Sequence, residues 1–107
     1  MTISAVRFGP KAGVTTYTDS TSGRYTPTAN TAIVKQVIFT NTHSGNATVT
    51  LGIGTSDTAA NRILSTVNVN ANEVLTFNTN IFMTSSEKLY FITSATTVTV
   101  TINAYEE

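Results

Sequence analysis

The sequence predicts an all-β domain, a sandwich or barrel, and three observations carry that expectation. Clusters of Gly, Pro, Asn, Asp and Ser punctuate the chain roughly every 8–12 residues, the spacing of short strands. No apolar pattern keeps a helical period for three turns. The last strand-like segment alternates cleanly: Val98, Val100, Ile102 and Ala104 are set to face inward, while Thr97, Thr99, Thr101 and Asn103 face out. At 107 residues the chain has the length of a single domain.

Taken in order, residues 1–23 are expected to form an N-terminal arm or edge strand, and residues 24–107 the sandwich itself. Gly9-Pro10 and Ser22-Gly23 punctuate the first segment, and 14–18 has the composition of a short strand. Arg7, Lys11, Arg24 and Lys35 place most of the positive charge in the first third, opposed there by Asp19 alone. Pro27 cannot donate a ladder bond, so it belongs at a strand edge or in the turn before a strand.

The centre of the domain is expected at 31–54, two strands joined by the polar turn Asn41-Thr42-His43-Ser44-Gly45-Asn46. The first strand carries Ile33, Val37 and Phe39 at odd positions and Ala32, Val34 and Ile38 at even ones, so both faces need cover and the strand should be central. The second is one-sided, with Ala47, Val49, Leu51 and Ile53 inward and Thr48, Thr50, Gly52 and Gly54 outward. Residues 55–61 read as a loop or a brief helical turn. A strand at 63–69 sets Ile63, Val67 and Val69 against Leu64, Thr66 and Asn68 on its two faces. After the turn at 70–73 comes a strand at 74–78 with Leu75 and Phe77 on one face. Asn78-Thr79-Asn80 breaks it before the apolar run Ile81-Phe82-Met83. The segment KLYFIT, 88–93, is strongly β-forming.

Composition narrows the function classes. Only 11% of residues are charged and the formal net charge is zero, against ~25% charged in a typical soluble domain. Thr, Ser and Asn make up about two-fifths of the chain, so its surface is built from hydroxyls and amides. Such a surface gives little electrostatic protection against self-association, which suits a subunit of a permanent assembly. No basic excess exists for nucleic acid, and no apolar run reaches the ~18 residues of a membrane span. The amino terminus lacks the apolar region of a secretory signal. Without cysteine there are neither disulfides nor thiolate metal sites.

Residues able to carry chemistry are sparse. His43 is the only histidine and reads as a solvated turn residue, and Asp19, Asp57, Glu73 and Glu87 are isolated acids in turns. No catalytic, cofactor or metal set is expected. Gly52-Ile53-Gly54 is not followed by the Lys and helix of a phosphate loop. It could instead leave a strand face open to a close-packed neighbour. Asn46-Ala47-Thr48 matches a glycosylation pattern by chance in so Thr-rich a chain. The candidate subunit contacts are Arg7, Phe8, Lys11, Gly52, Gly54, Thr97, Thr99 and Thr101. The terminal strand bears no Lys or Pro to blunt an exposed edge, and Glu106-Glu107 could meet the basic first third. For glycan binding the candidate platforms are Tyr17, Tyr25, Tyr90 and Tyr105, since the chain has no Trp.

Tyr25-Thr26-Pro27, the strands AIVKQVIFTNT and ATVTLGIG, the AANRIL segment and the run EKLYFITSATTVTVTI together resemble small β-sandwich virion structural proteins of tailed bacteriophages, over about residues 24–105. The resemblance implies an Ig-like or jelly-roll-like antiparallel sandwich of about 7–8 strands, located in the virion after assembly in the host cytoplasm. It implies no catalytic residues. The expected function is a non-enzymatic capsid decoration protein that stabilises the phage head, with the major capsid protein or another virion protein as partner. A homo-oligomer, a trimer, is the expected state. A tail, neck or baseplate component is the alternative, and a carbohydrate- or receptor-binding module the second.

Overall fold

The computed structural model describes residues 3–17 and 23–107. Eight strands follow in order: β1 (Ser4–Ala12), β2 (Arg24–Tyr25), β3 (Thr31–Asn41), β4 (Ala47–Ile53), β5 (Arg62–Val69), β6 (Val74–Thr84), β7 (Leu89–Thr93) and β8 (Val98–Glu106). The helical turn expected in 55–61 is a single 3₁₀ turn, Ala59–Asn61. The strands form two four-stranded antiparallel sheets, β1-β8-β3-β6 and β2-β7-β4-β5. An all-β sandwich is therefore what the chain builds.

Its winding is a rolled ribbon. β4 pairs with β5, β3 with β6, β2 with β7 and β1 with β8. The chain is thus one long double-stranded ribbon whose tip is the β4–β5 hairpin. The ribbon is rolled until β8 meets β3 and β7 meets β4, which closes the two sheets. That is jelly-roll connectivity.

The rolling corrects one expectation about the centre of the chain. β3 is central, with β8 and β6 on its two sides, but β4 lies in the opposite sheet. The turn at 42–46 joins them across the two sheets, so the two strands do not pair with each other. Asn41, buried at the end of β3, fixes this crossing. Its amide nitrogen lies 3.1, 3.0 and 3.1 Å from the carbonyl oxygens of Gly45, Val69 and Asn70, and its Oδ1 accepts the His43 N–H at 2.9 Å.

Bulges account for the strands whose faces the alternation mispredicts. β3 is apolar at both parities, yet only one face is covered. Val34 aligns with Ala104 of β8 and Gln36 with Asn103, so Lys35 is an extra residue. Ala32 and Val34 before it, and Val37 and Phe39 after it, all reach the core, while Ile33 stays 41% exposed. In β5 the register jumps between Val67 and Leu64, with Thr66 at φ 46°. Leu64 therefore packs inward with Val67, and Ile63 is exposed. The buried Thr50 hydroxyl accepts the Thr66 N–H at 3.1 Å, which holds that bulge. In β1 the register jumps between Phe8 and Lys11, across the cis Gly9-Pro10 bond. Gly9 has φ 94°, and a Cβ there would lie 2.4 Å from the Val100 carbonyl oxygen, so no other residue fits unstrained.

Two further expectations change. β6 runs unbroken through Asn78-Thr79-Asn80 as an eleven-residue strand. β8 is an inner strand between β1 and β3, so it presents no edge to cover. The edges of this sheet are β1, blunted by Pro10 and Lys11, and β6. Between the sheets lies one core: Val34, Val37, Phe39, Val49, Leu51, Met83, Leu89, Phe91, Val98, Val100 and Ile102 are fully buried.

Candidate functional site

Cross-strand register arranges the outer face of the sheet β1-β8-β3-β6 into rows. The first row is Ala5, Tyr105, Ile33 and Phe82, one from each strand in sheet order. Tyr105 is 50% exposed and Phe82 62%, and Ile3, beside them, 64%. With Thr31 and Glu107 these side chains line an open depression of about 380 Å³.

The second row is Arg7, Asn103, Gln36 and Asn78. Its amides are linked in one direction. Asn103 Nδ2 donates to Gln36 Oε1 at 2.9 Å, and Gln36 Nε2 donates to Asn78 Oδ1 at 3.1 Å. The β3 bulge throws Lys35 out beside this row, where Nζ donates to Asn80 Oδ1. Arg7, Lys35, the amides and Tyr105 line a second depression, of about 520 Å³. Beyond it, Thr101, Ile38 and Thr76 form a third row and Thr99, Thr40 and Val74 a fourth.

Part of the opposite outer face, on β2-β7-β4-β5, is covered by the chain itself. Tyr90 of β7 projects over Gly52 of β4, where a Cβ would lie 2.4 Å from the ring. Tyr17 stacks on Tyr90 with ring centres 4.5 Å apart and donates its hydroxyl to the Gly54 carbonyl at 2.8 Å. The Tyr90 hydroxyl donates to Asp57 Oδ1 at 3.0 Å, and Arg62 grips the same carboxylate with two bonds of 2.9 and 2.8 Å. The Arg62 hydrogen bond holds the Asp57 carboxyl below its ordinary range, against a smaller effect of burial. Burial, then the Asp57 hydrogen bond, pushes the Tyr90 phenol up to about 12.

A third cluster forms where β8 ends. Glu106 turns inward and is buried. Its Oε2 accepts from the Tyr25 hydroxyl. Its Oε1 accepts from the Thr28 N–H at 3.1 Å, the Thr28 hydroxyl at 2.9 Å and the Ala29 N–H at 3.1 Å. Burial alone would raise this carboxyl; the hydrogen bonds from Tyr25, Thr28 and Ala29 overcome it and hold the group below the ordinary range.

The predicted contact residues therefore separate. Arg7 and Lys11 are exposed, and Thr99 and Thr101 lie half-buried on the outer face of the first sheet. Thr97 is exposed in the turn before β8, its carbonyl accepting from the Thr42 hydroxyl at 2.8 Å. Phe8 is not an outward contact. It turns inward and packs tilted against Tyr25 and Phe91, at 5.7 and 5.9 Å between ring centres. Gly52 and Gly54 do not leave an open face either, because the Tyr90 ring fills the space over Gly52 and the Asn61 side chain the space at Gly54. Tyr17, Tyr25 and Tyr90 are buried, so Tyr105 is the one exposed tyrosine. β1 and β8 pair, so the two ends of the chain do meet, but Glu106 bonds neutral donors and not the basic residues. Asp19 lies outside the described residues.

The patch residues Ile33 and Phe82 escaped sequence reasoning because each sits in an apolar run that reads as core. The displaced parity across Lys35 was the missing signal. Compared with known protein families, curated proteins and solved structures, the chain matches none.

Proposed function

We propose that this chain is a non-enzymatic structural subunit of a phage particle, a decoration protein that stabilises the head, with the outer face of β1-β8-β3-β6 as a subunit-contact surface. One observation carries the assembly role. Of six large apolar side chains exposed among the described residues, four, Ile3, Ile33, Phe82 and Tyr105, gather in one patch. Single exposed apolar residues are ordinary on any surface, whereas a contiguous patch rimmed by polar groups is contact surface. The neutral, hydroxyl-rich composition supports the same role, because covered surface does not need charge to stay soluble. The resemblance to phage sandwich proteins supplies the virion setting and its partners, the major capsid protein or another virion protein, and further copies of this chain. Immunogold electron microscopy of purified particles tests it. Label on the head surface is expected; label on tail, neck or baseplate selects the alternative component. Particles without label overturn the proposal.

One observation favours a second reading, a carbohydrate- or receptor-binding module. Exposed Tyr105 stands beside a depression lined by amides and by Arg7 and Lys35, groups that can stack on and hydrogen-bond a sugar. Glycan-array binding that disappears with Tyr105→Ala would select it.

A further inference from the structure

We infer that the outer face of β1-β8-β3-β6 is a self-complementary surface whose occupant is a second copy of this chain, paired about a twofold axis. The argument rests on the order of rows along the strands. The apolar row Ala5-Tyr105-Ile33-Phe82 runs across the sheet. Two residues to one side lies Glu107, paired through its backbone with Thr31. Two residues to the other side lie Arg7 and Asn103, with Lys35 next to them. Acid and base thus flank the apolar row at equal spacings of roughly 7 Å, two residues of extended chain.

A twofold axis lying in the interface along that row has a definite consequence. It sets Tyr105, Ile33 and Phe82 against the same residues of the second copy and reverses the strands end for end. Glu107 is then carried over the partner's Asn103, between the partner's Arg7 and the partner's Lys35. The same contact repeats by symmetry, so two acid–base pairs form on the two sides of one apolar seam. Isologous contacts of this kind close after two copies. The trimer expected from the sequence requires a different, head-to-tail contact.

The area agrees with a modest pair. Fully exposed large apolar side chains present ~150–250 Å² each. At the observed exposures of Ile3, Ile33, Phe82 and Tyr105, two copies remove at most roughly 650–1,100 Å² from water before the charged rim is added. That is the size of a weak interface, so the pair is concentration-dependent in solution. A surface crowded with copies favours it further by raising local concentration.

Sedimentation velocity on the purified chain, across a concentration series, tests the pairing independently of any particle. A reversible dimer is expected. Phe82→Asp and Ile33→Asp should each give a folded monomer, and Phe82→Asp should melt like the parent at dilutions where the parent is itself monomeric, because Phe82 is largely exposed. Arg7→Glu should weaken the dimer at least tenfold. The exchange Arg7→Glu with Glu107→Arg should restore most of that loss, which a merely structural role for either residue cannot do. Ile63→Asp, an exposed apolar residue on the other sheet, should leave the mass unchanged. A chain that stays monomeric to about 1 mM, or an oligomer indifferent to Phe82→Asp, overturns the inference. Neither result bears on whether the protein is found on phage heads.

Discussion

Glu106→Gln separates the charge of the buried carboxylate from its shape. In the parent protein four donors converge on the two oxygens, from Tyr25, Ala29 and twice from Thr28. Glutamine keeps one oxygen for the Thr28–Ala29 side but turns an NH₂ group toward the Tyr25 hydroxyl. Hydrogen bonds to a charged group are each worth about 1.5–3 kcal/mol, against about 0.5–1.5 kcal/mol for neutral ones. Relief of the desolvation cost returns part of the difference, so a net loss of about 2–3 kcal/mol is expected. In a chain of this length that lowers the melting temperature by roughly 10–20 °C. The folded carboxyl titrates below its unfolded value near 4.3. Its stabilisation is therefore complete above that unfolded value and disappears as the pH falls through the folded one. Urea denaturation of parent and variant at a series of pH values measures the gap. It should be widest at neutral pH and close under acid conditions. A neutral-pH gap below about 0.5 kcal/mol, or one unchanged by acid, would refute the assignment of this carboxylate as a charged lock between β8 and the 28–29 turn.

Three other perturbations probe the rest of the scaffold. Asn41→Ala strips the partner from three carbonyls and one N–H at the sheet crossing, and should cost about 2–4 kcal/mol in denaturant unfolding. Asn41→Asp should cost more above the aspartate titration range than below it, since the carbonyls would then face an anion. Gly52→Ala drives a methyl group into the Tyr90 ring and should cost about 1–3 kcal/mol, with changed ring-current shifts of Tyr17 and Tyr90 in NMR spectra. ¹³C-tyrosine NMR should place Tyr90 ionisation at about 12. Asp57→Asn should bring it part of the way back toward 10, because burial, the larger cause, remains.

Strand identity was legible wherever alternation ran without interruption. β8 keeps period two, and its inward set, Val98 to Ala104, is the set found buried; in β4 Ala47, Val49 and Leu51 are buried as expected, Ile53 only partly, and Thr50 and Gly52 of the outward set are buried as well. Alternation fails at a bulge, because one extra residue reverses every assignment beyond it. Lys35 does this in β3 and Thr66 in β5. An Asn-rich stretch in β6 imitated a turn, although Asn78 and Asn80 belong to a strand whose amide partners, Gln36 and Lys35, lie on the neighbouring strand. No local pattern in the sequence encodes such partners.

The same locality limited the view of the sites. Gly52 signals a close approach, and that much is readable from a glycine in a strand; that the approaching group is Tyr90, 38 positions further on, depends on the rolling of the ribbon. Glu106 at a charged chain end reads as a partner for the basic first third until β2 and the 28–29 turn are brought beside it. The patch follows from this same geometry. A bulge in β3 turns Ile33 out between Tyr105 and Phe82, and the Lys35 it displaces becomes the cation beside them. Apolar seam and charged flank thus adjoin a single extra residue in the central strand. Deleting Lys35 would therefore straighten β3 into regular alternation, with Val34, Val37 and Phe39 still inward and Ile33 still outward, and would remove the cation, whereas Lys35→Ala would remove the charge and keep the bulge.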